Sequence, residues 1–242
     1  MKLALISDIH GNLEALVSVF EHIEKQKVDK IHCLGDVIGY GSDPIGCLDL
    51  VCNNCDIMLM GNHEYAALGL DDTSDYNPVA KKATVWTIDQ LSDRERGLIE
   101  KLDMVQAIDD MLLVHASPVE PEQWHYILTP EAALKAFVEM KQNICFFGHT
   151  HVPQIYSERE EDIPRMQAGH DIWTDEENRY LINVGSVGQP RDNDPRACYA
   201  IFDTTERELF YHRVSYDIET TQEKMVEACL PQMLVERLSV GK

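Results

Sequence analysis

The sequence predicts an α/β protein, and two observations carry that prediction. Short apolar runs recur along the chain, many stopping at a turn that holds glycine or a metal-binding side chain. Between them lie longer stretches with the 3.6-residue spacing of amphipathic helices. In open α/β sheets, ligands sit beyond the carboxyl ends of the strands, so the turns after the apolar runs are where a site is expected.

The elements follow in order. Lys2–Ser7 is mostly apolar and reads as a buried strand. Asn12 to Gln26 carries Leu13, Leu16, Val17, Phe20 and Ile23 as a helical stripe that should lie on the sheet. Lys30–Leu34 and Asp56–Met60 are further strands, ending at Gly35 and Gly61. Asn77-Pro78 opens a helix through about Leu91, and Ser92 with Glu95 forms a capping-box pattern. Met111–Val114 is a strand ending at His115. Thr129, with Pro130 at the first helical position, starts a helix to about Lys141. Asn143–Phe147 is the strand before Gly148. The runs Val152–Tyr156, Tyr180–Val184, Cys198–Phe202 and Glu208–Tyr216 are expected to form a second sheet, within about residues 152–216. A closing helix is expected from about Ile218 to Leu230, docked on its own chain. No repeat, low-complexity tract or linker divides the sequence, so one domain over residues 1–242 is expected.

Five of the turns hold the chemistry: Asp8-Ile9-His10, Gly35-Asp36, Gly61-Asn62-His63, His115, and Gly148-His149-Thr150-His151. Each alone is weak evidence. Together they supply two carboxylates, an amide oxygen and four or five imidazoles, about what two adjacent divalent cations require. The donors are nitrogen and oxygen without thiolate, which favours Mn, Fe or Zn over Mg.

The order Asp-x-His, Gly-Asp, Gly-Asn-His, His, Gly-His-Thr-His resembles the calcineurin-like metallophosphoesterase superfamily, and most of all its small prokaryotic phosphodiesterase-type branch. The motifs span residues 8 to 151, and the segment Asn183–Asp192 resembles a later loop of that branch. The resemblance implies a four-layer α/β/β/α sandwich of two mixed sheets flanked by helices. It implies one metal held by Asp8, His10, Asp36 and His151, and a second held by Asp36, Asn62, His115 and His149, with Asp36 bridging. A hydroxide shared by the two cations would attack phosphorus. It assigns His63 to protonating the leaving oxygen or stabilising transition-state charge. The phosphoprotein-phosphatase branch has Asp and then Arg where this chain has Gly39 and Tyr40. That departure favours a small phosphodiester or phosphoanhydride, including nucleotides, over a phosphoprotein. Phosphomonoester hydrolysis, or a noncatalytic metal-binding scaffold of the same fold, are the alternatives.

Other residues give smaller expectations. Asn12 and Arg191 are candidate phosphoryl contacts, the latter because a planar guanidinium matches phosphate oxygens. Asp43 is a candidate to orient His63. Gly39-Tyr40-Gly41 reads as turn chemistry, because no dinucleotide fingerprint completes it. Ser117 lacks a nucleophile elbow. Cys52 and Cys55 lack a zinc-finger partner pair. The stretch Asp71–Asp75 reads as a solvated acidic loop near the site rim.

Composition bounds the partners. The formal charge is −21, from 21 Lys and Arg against 42 Asp and Glu. Such a surface repels phosphate backbones, so tight duplex nucleic-acid binding is not expected. No apolar stretch approaches a membrane span, and the first strand starts at residue 2, which leaves no room for a targeting segment. Seven cysteines, scattered through predicted strands and helices, suit reduced thiols and a cytoplasmic protein.

Overall fold

The computed structural model describes residues 1–71, 76–159 and 163–242. It opens on β1 (Lys2–Ile6), α1 (Leu13–Gln26), β2 (Lys30–Cys33), α2 (Pro44–Asn54) and β3 (Ile57–Met58). These are two successive β-α-β units, and β1, β2 and β3 run parallel. Next come α3 (Asn62–Ala67), α4 (Pro78–Gln90) and α5 (Asp93–Ile99). The capping box that Ser92 and Glu95 predict is formed at the start of α5. The antiparallel pair β4 (Val105–Ile108) and β5 (Met111–Val114) leads to α6 (Pro130–Glu139), capped by Thr129. Six strands follow: β6 (Ile144–Phe147), β7 (Gln154–Glu158), β8 (Arg165–Ala168), β9 (Ile172–Trp173), β10 (Arg179–Asn183) and β11 (Ala197–Asp203). The described chain closes with β12 (Glu208–Val214), α7 (Ile218–Glu227) and α8 (Gln232–Arg237).

The strands form two mixed sheets, ordered β3-β2-β1-β11-β12-β9 and β4-β5-β6-β10-β7-β8 among the described residues. The α/β/β/α class therefore holds, but the division between sheets differs from the sequence expectation. β7 and β10 join the second sheet, whereas β11 and β12 return to the first, where β11 lies antiparallel to β1 with Leu3 opposite Phe202. β5 and β6, read before residue 151, belong to the second sheet. Apolar runs reveal that a strand is buried, not which sheet it enters, because strands of both sheets are covered on two faces.

Alternation along β1 shows the layering. Leu3 and Leu5 meet Phe146, Ile182 and Phe202 between the sheets, while Ala4 and Ile6 meet Leu16, Val19 and Val51 under α1 and α2. Phe146 of one sheet lies 5.4 Å from Phe202 of the other, centroid to centroid. Such a buried aromatic pair contributes roughly 0.5–1.5 kcal/mol beyond area burial. On the outer face of the second sheet, Phe137 of α6 packs on Phe147, Tyr156 and Leu181.

The expected closing helix forms as α7, and a further short helix, α8, follows it. Cys229 adopts a left-handed conformation and Pro231 follows, which ends α7 and starts α8. Both dock on their own chain, as expected. Met225, Leu230, Leu234, Val235 and Leu238 cluster with Ala83 of α4 and with Tyr40. Thr221 donates to Asn12 Oδ1 at 3.2 Å, and Lys224 pairs with Glu14 and Asp43. The acidic stretch falls mostly outside the described residues, apart from Asp71, which accepts from the Tyr76 hydroxyl at 2.7 Å. No helix among the described residues is long and apolar enough to cross a membrane.

Candidate metal centre

Parallel pairing within each sheet brings the carboxyl ends of β1, β2 and β3 beside those of β5 and β6. Asp8 and His10 follow β1, Asp36 follows β2, Asn62 opens α3 after β3, His115 follows β5, and His149 and His151 follow β6. The turns are sewn together by backbone bonds: Asp8 N to Gly35 O, Ile9 N to Asp36 O, and Gly148 N to His115 O. Gly148 allows the two sheets to close here, since a Cβ on it would overlap Ser7 Oγ and Asp8 Oδ2. Asp8, His10, Asp36, His149 and His151 all have positive φ, between 50° and 64°. Left-handed backbone at several non-glycine residues costs energy and persists where the surrounding structure enforces it, commonly at functional sites.

The seven expected ligands converge. Asp8, His10 and His151 form one trio, Asp36, His115 and His149 another, and His10, Asp36 and His63 a third that links them; within each, the potential ligand atoms lie within 4.8 Å of one another and all are buried. Asp36 Oδ2 sits 3.2 Å from His115 Nε2 and 3.7 Å from His10 Nε2, so it faces the first trio as well as the second. Asn62 Oδ1 lies 3.3 Å from His115 Nε2 and joins the second group.

The tautomers test whether cations fit. His10 Nδ1 faces Ile38 O, His115 Nδ1 faces Leu34 O, and His151 Nδ1 faces Gln189 O, at 3.2, 2.9 and 2.6 Å. A carbonyl oxygen only accepts, so each Nδ1 carries a proton, and in the neutral His10 and His151 rings the Nε2 lone pair points inward. Yet His10 Nε2 and His151 Nε2 stand 3.0 Å apart, and His149 Nε2 is buried without a hydrogen-bond partner. Opposed lone pairs and an orphaned ring nitrogen are what metal coordination would satisfy. The residues fit bound metal.

Charge supports the same fit. Burial pushes the His10, His149 and His151 imidazoles below their ordinary value, His149 to about 3, so these rings are neutral donors. Burial opposes a positive His115, but Asp36 and Asp8 outweigh it and draw the ring up to about 9. A proton on that nitrogen and a cation beside it answer the same local excess of negative charge.

His63 adjoins this cluster. Its backbone N–H donates to Asp36 Oδ1 at 2.9 Å, and its ring packs edge-on against Tyr40 and His10, with centroids 4.4 and 4.8 Å away. Burial lowers its imidazole, with Asp36 opposing. Asp43 does not orient it: that carboxylate accepts from Ser42 and Lys224 at the start of α2. Instead Gly39, at φ +89°, leaves the space that the ring fills, since a Cβ there would overlap His63 Nδ1. Asn12, expected as a phosphoryl contact, is placed at the start of α1. Its Oδ1 accepts from Ala15 N and Thr221, its Nδ2 donates to Gly188 O, and it is 2% exposed, so its amide is consumed by the fold. Arg191 does face the site, with its guanidinium 6.0 Å from the Tyr40 centroid.

Glu64 is a buried residue beside the cluster that the sequence motifs did not single out. Its buried carboxylate accepts from the backbone N–H groups of Asp36, Val37, Ile38 and Gly61, all at 2.8–3.0 Å. It thereby ties the Asp36 turn to the Asn62 turn. Burial and the Asp36 charge push it up to about 7, while the amides pull the other way. Its position at the third residue of a helix opening at Gly61-Asn62 was the available signal. Tyr126 was missed as well: its ring stacks on His149 at 4.2 Å. With Tyr40, Asn62, His63, Tyr76 and Trp124 it lines a cavity of about 320 Å³ at the cluster. A larger cleft, about 670 Å³, lies near the amino end of β2 beside Phe20 and Lys27 and holds no comparable cluster.

A family model for the calcineurin-like phosphoesterase superfamily domain matches residues 1–207. The chain is 37% identical to the uncharacterized protein MJ0912 of Methanocaldococcus jannaschii, over 99% of this chain and 98% of that protein. Its structure is similar to a metallophosphoesterase from Sphaerobacter thermophilus, with TM-score 0.87 and 40% identity over 100% and 99% of the two chains. The hypothetical protein PH1004 of Pyrococcus horikoshii OT3 shares the fold at TM-score 0.80 and 18% identity, over 100% and 98% of the chains.

Proposed function

The chain belongs to the calcineurin-like phosphoesterase superfamily, and on that premise we propose that it is a dinuclear metal-dependent hydrolase of a small phosphodiester or phosphoanhydride of nucleotide type. The observation that carries this reading is that Asp36 Oδ2, 3.2 Å from His115 Nε2 in its own buried trio, also lies 3.7 Å from His10 Nε2 of the other. In it, Asp8, His10, Asp36 and His151 hold one divalent cation, and Asp36, Asn62, His115 and His149 the other. Mn, Fe or Zn suit these donors. Bound there, the cations supply Lewis-acid polarisation of phosphoryl oxygens and lower the pKa of water toward neutrality.

The protein's own groups do the rest. Backbone carbonyls fix three imidazole tautomers, and Glu64 fixes the spacing of the Asp36 and Asn62 turns. His63 stands at the cavity wall beside the ligands, where the charge of an arriving phosphoryl group raises its proton affinity. It then delivers that proton to the leaving oxygen, a contribution of roughly 10²–10⁴ in rate. Tyr40, Trp124 and Tyr126 give the cavity aromatic walls on which a base or other planar group can stack. A flat phosphoprotein loop has less use for such walls, which supports the small-molecule reading. Seven free cysteines suit a reducing, cytoplasmic setting.

The test is hydrolysis of bis-p-nitrophenyl phosphate beside p-nitrophenyl phosphate by Mn-loaded protein, with the Asn62→Ala/His149→Ala double variant as control. Diester turnover above monoester, lost in the control, is the expected result. No turnover of either with two metals bound contradicts an enzyme and favours a metal-binding scaffold.

A further inference from the structure

Two arginines beside the candidate centre lack the carboxylate partners that most other arginines have, although Arg191 also interacts with the Tyr40 and Tyr126 hydroxyls. Arg191 Nη2 and Arg237 Nη1 donate to one neutral acceptor, Gln189 Oε1, at 2.9 and 3.0 Å. Neither forms an ion pair with a carboxylate among the described residues, and the Nε of each is buried without a hydrogen-bond partner. This is unusual in a chain of net charge −21. Arg94, Arg179, Arg196 and Arg213 each pair with an acid, and Arg96 and Arg207 donate to main-chain carbonyls. Two guanidiniums converging on a single amide oxygen repel one another and keep donors to spare.

The pair is joined to the centre through the same residue. Gln189 accepts from His151 Nδ1 with its main-chain oxygen and from both arginines with its side chain. Arg191 also donates its backbone N–H to His151 O at 3.2 Å and lies over Tyr40, whose ring borders His10 and His63. Arg237 comes from α8, beyond the residues that the family model matches. The helix break at Cys229–Pro231 turns α8 back onto the chain and brings this guanidinium to Gln189.

We propose that Arg191 and Arg237 form an anion cradle for a second phosphoryl group of the substrate, next to the phosphoryl group held at the metal ligands. The inference rests on the phosphoesterase reading and narrows its substrate class to compounds with linked phosphates, such as phosphoanhydrides. A simple diester leaves the cradle unfilled. Guanidinium forks bind phosphate oxygens bidentately, and each arginine spends one Nη on Gln189 and keeps the other for such a contact.

The test is calorimetric titration of Mn-loaded protein with inorganic phosphate and with methylenediphosphonate, a non-hydrolysable linked pair. In Arg237→Gln the diphosphonate should bind at least about tenfold more weakly, with phosphate affinity changed less than about twofold. Arg237→Lys, which keeps the charge, should fall between. Thermal unfolding of each variant separates this from loss of fold. Parallel weakening of both probes, or unchanged affinity for both, would overturn the cradle and leave Arg237 as an anchor for α8. If neither probe binds the Mn-loaded wild type, the cradle and the phosphoesterase reading fall together.

Discussion

His10 and His151 turn their Nε2 atoms toward each other across 3.0 Å, while the Nδ1 atom of each faces a main-chain carbonyl. No proton is left to share between them, so the pair is arranged for a cation. A cation between the two lone pairs would bind the folded chain and not the unfolded one, so stability should depend on metal. Chelation of purified protein should lower Tm, and returned Mn should restore it. Ligand at a hundredfold excess over Kd stabilises by about 2.7 kcal/mol. For a chain of this size that corresponds to roughly 5–10 °C. Differential scanning calorimetry with and without chelator checks it.

Asp36 and His63 are neighbours with separable roles. Asp36→Asn removes the shared carboxylate and should cost both metals together with activity. His63→Ala should keep two metals and lower kcat by about 10²–10⁴. Metal content by mass spectrometry beside turnover distinguishes the two. Unchanged turnover in His63→Ala removes this residue from the mechanism.

Glu64 touches neither metal position nor cavity, yet it spans two ligand turns with four amide bonds. Glu64→Gln replaces one acceptor oxygen by a donor that faces amide N–H groups. The expected result is metal affinity reduced about 10–100-fold, as for other supporting partners of ligands. A stability loss of roughly 1–3 kcal/mol should accompany it. Competitive chelator titration and urea unfolding measure these; wild-type metal affinity would show that the turns hold their spacing without the carboxylate.

Gly39 leaves room for the His63 ring. Gly39→Ala strains a left-handed position and displaces that ring, so turnover should fall at least about tenfold with metal content intact. Full activity in this variant would mean that the observed His63 placement is not the working one.

The sequence made the converging Asp, Asn and His residues legible because strand ends are marked twice, by an apolar run and by a polar residue after it. Helix starts were legible at Asn12, Ser92 and Thr129, where a side-chain oxygen caps the amides. Sheet membership was not, since Cys198–Phe202 reads as buried strand whichever neighbour it takes. Nor were Glu64 and Arg237, whose importance lies in partners far along the chain: Glu64 accepts from residues 26 to 28 positions away, and Arg237 meets Gln189, 48 positions away. Asn12 shows how position in the sequence leaves a side chain's partners open. Its place two residues after a ligand suggested substrate contact, and its amide turned out to be engaged as the cap of α1 and a tie to Gly188.

The central claim is that Asp36 stands between two cations. Anomalous diffraction from Mn-soaked crystals of the wild type and of Asp36→Asn tests it most directly. Two manganese peaks per chain are expected in the wild type, one framed by Asp8, His10 and His151 and the other by Asn62, His115 and His149, both lost or depleted in the variant. A single peak, or two that persist at full occupancy in Asp36→Asn, would contradict it.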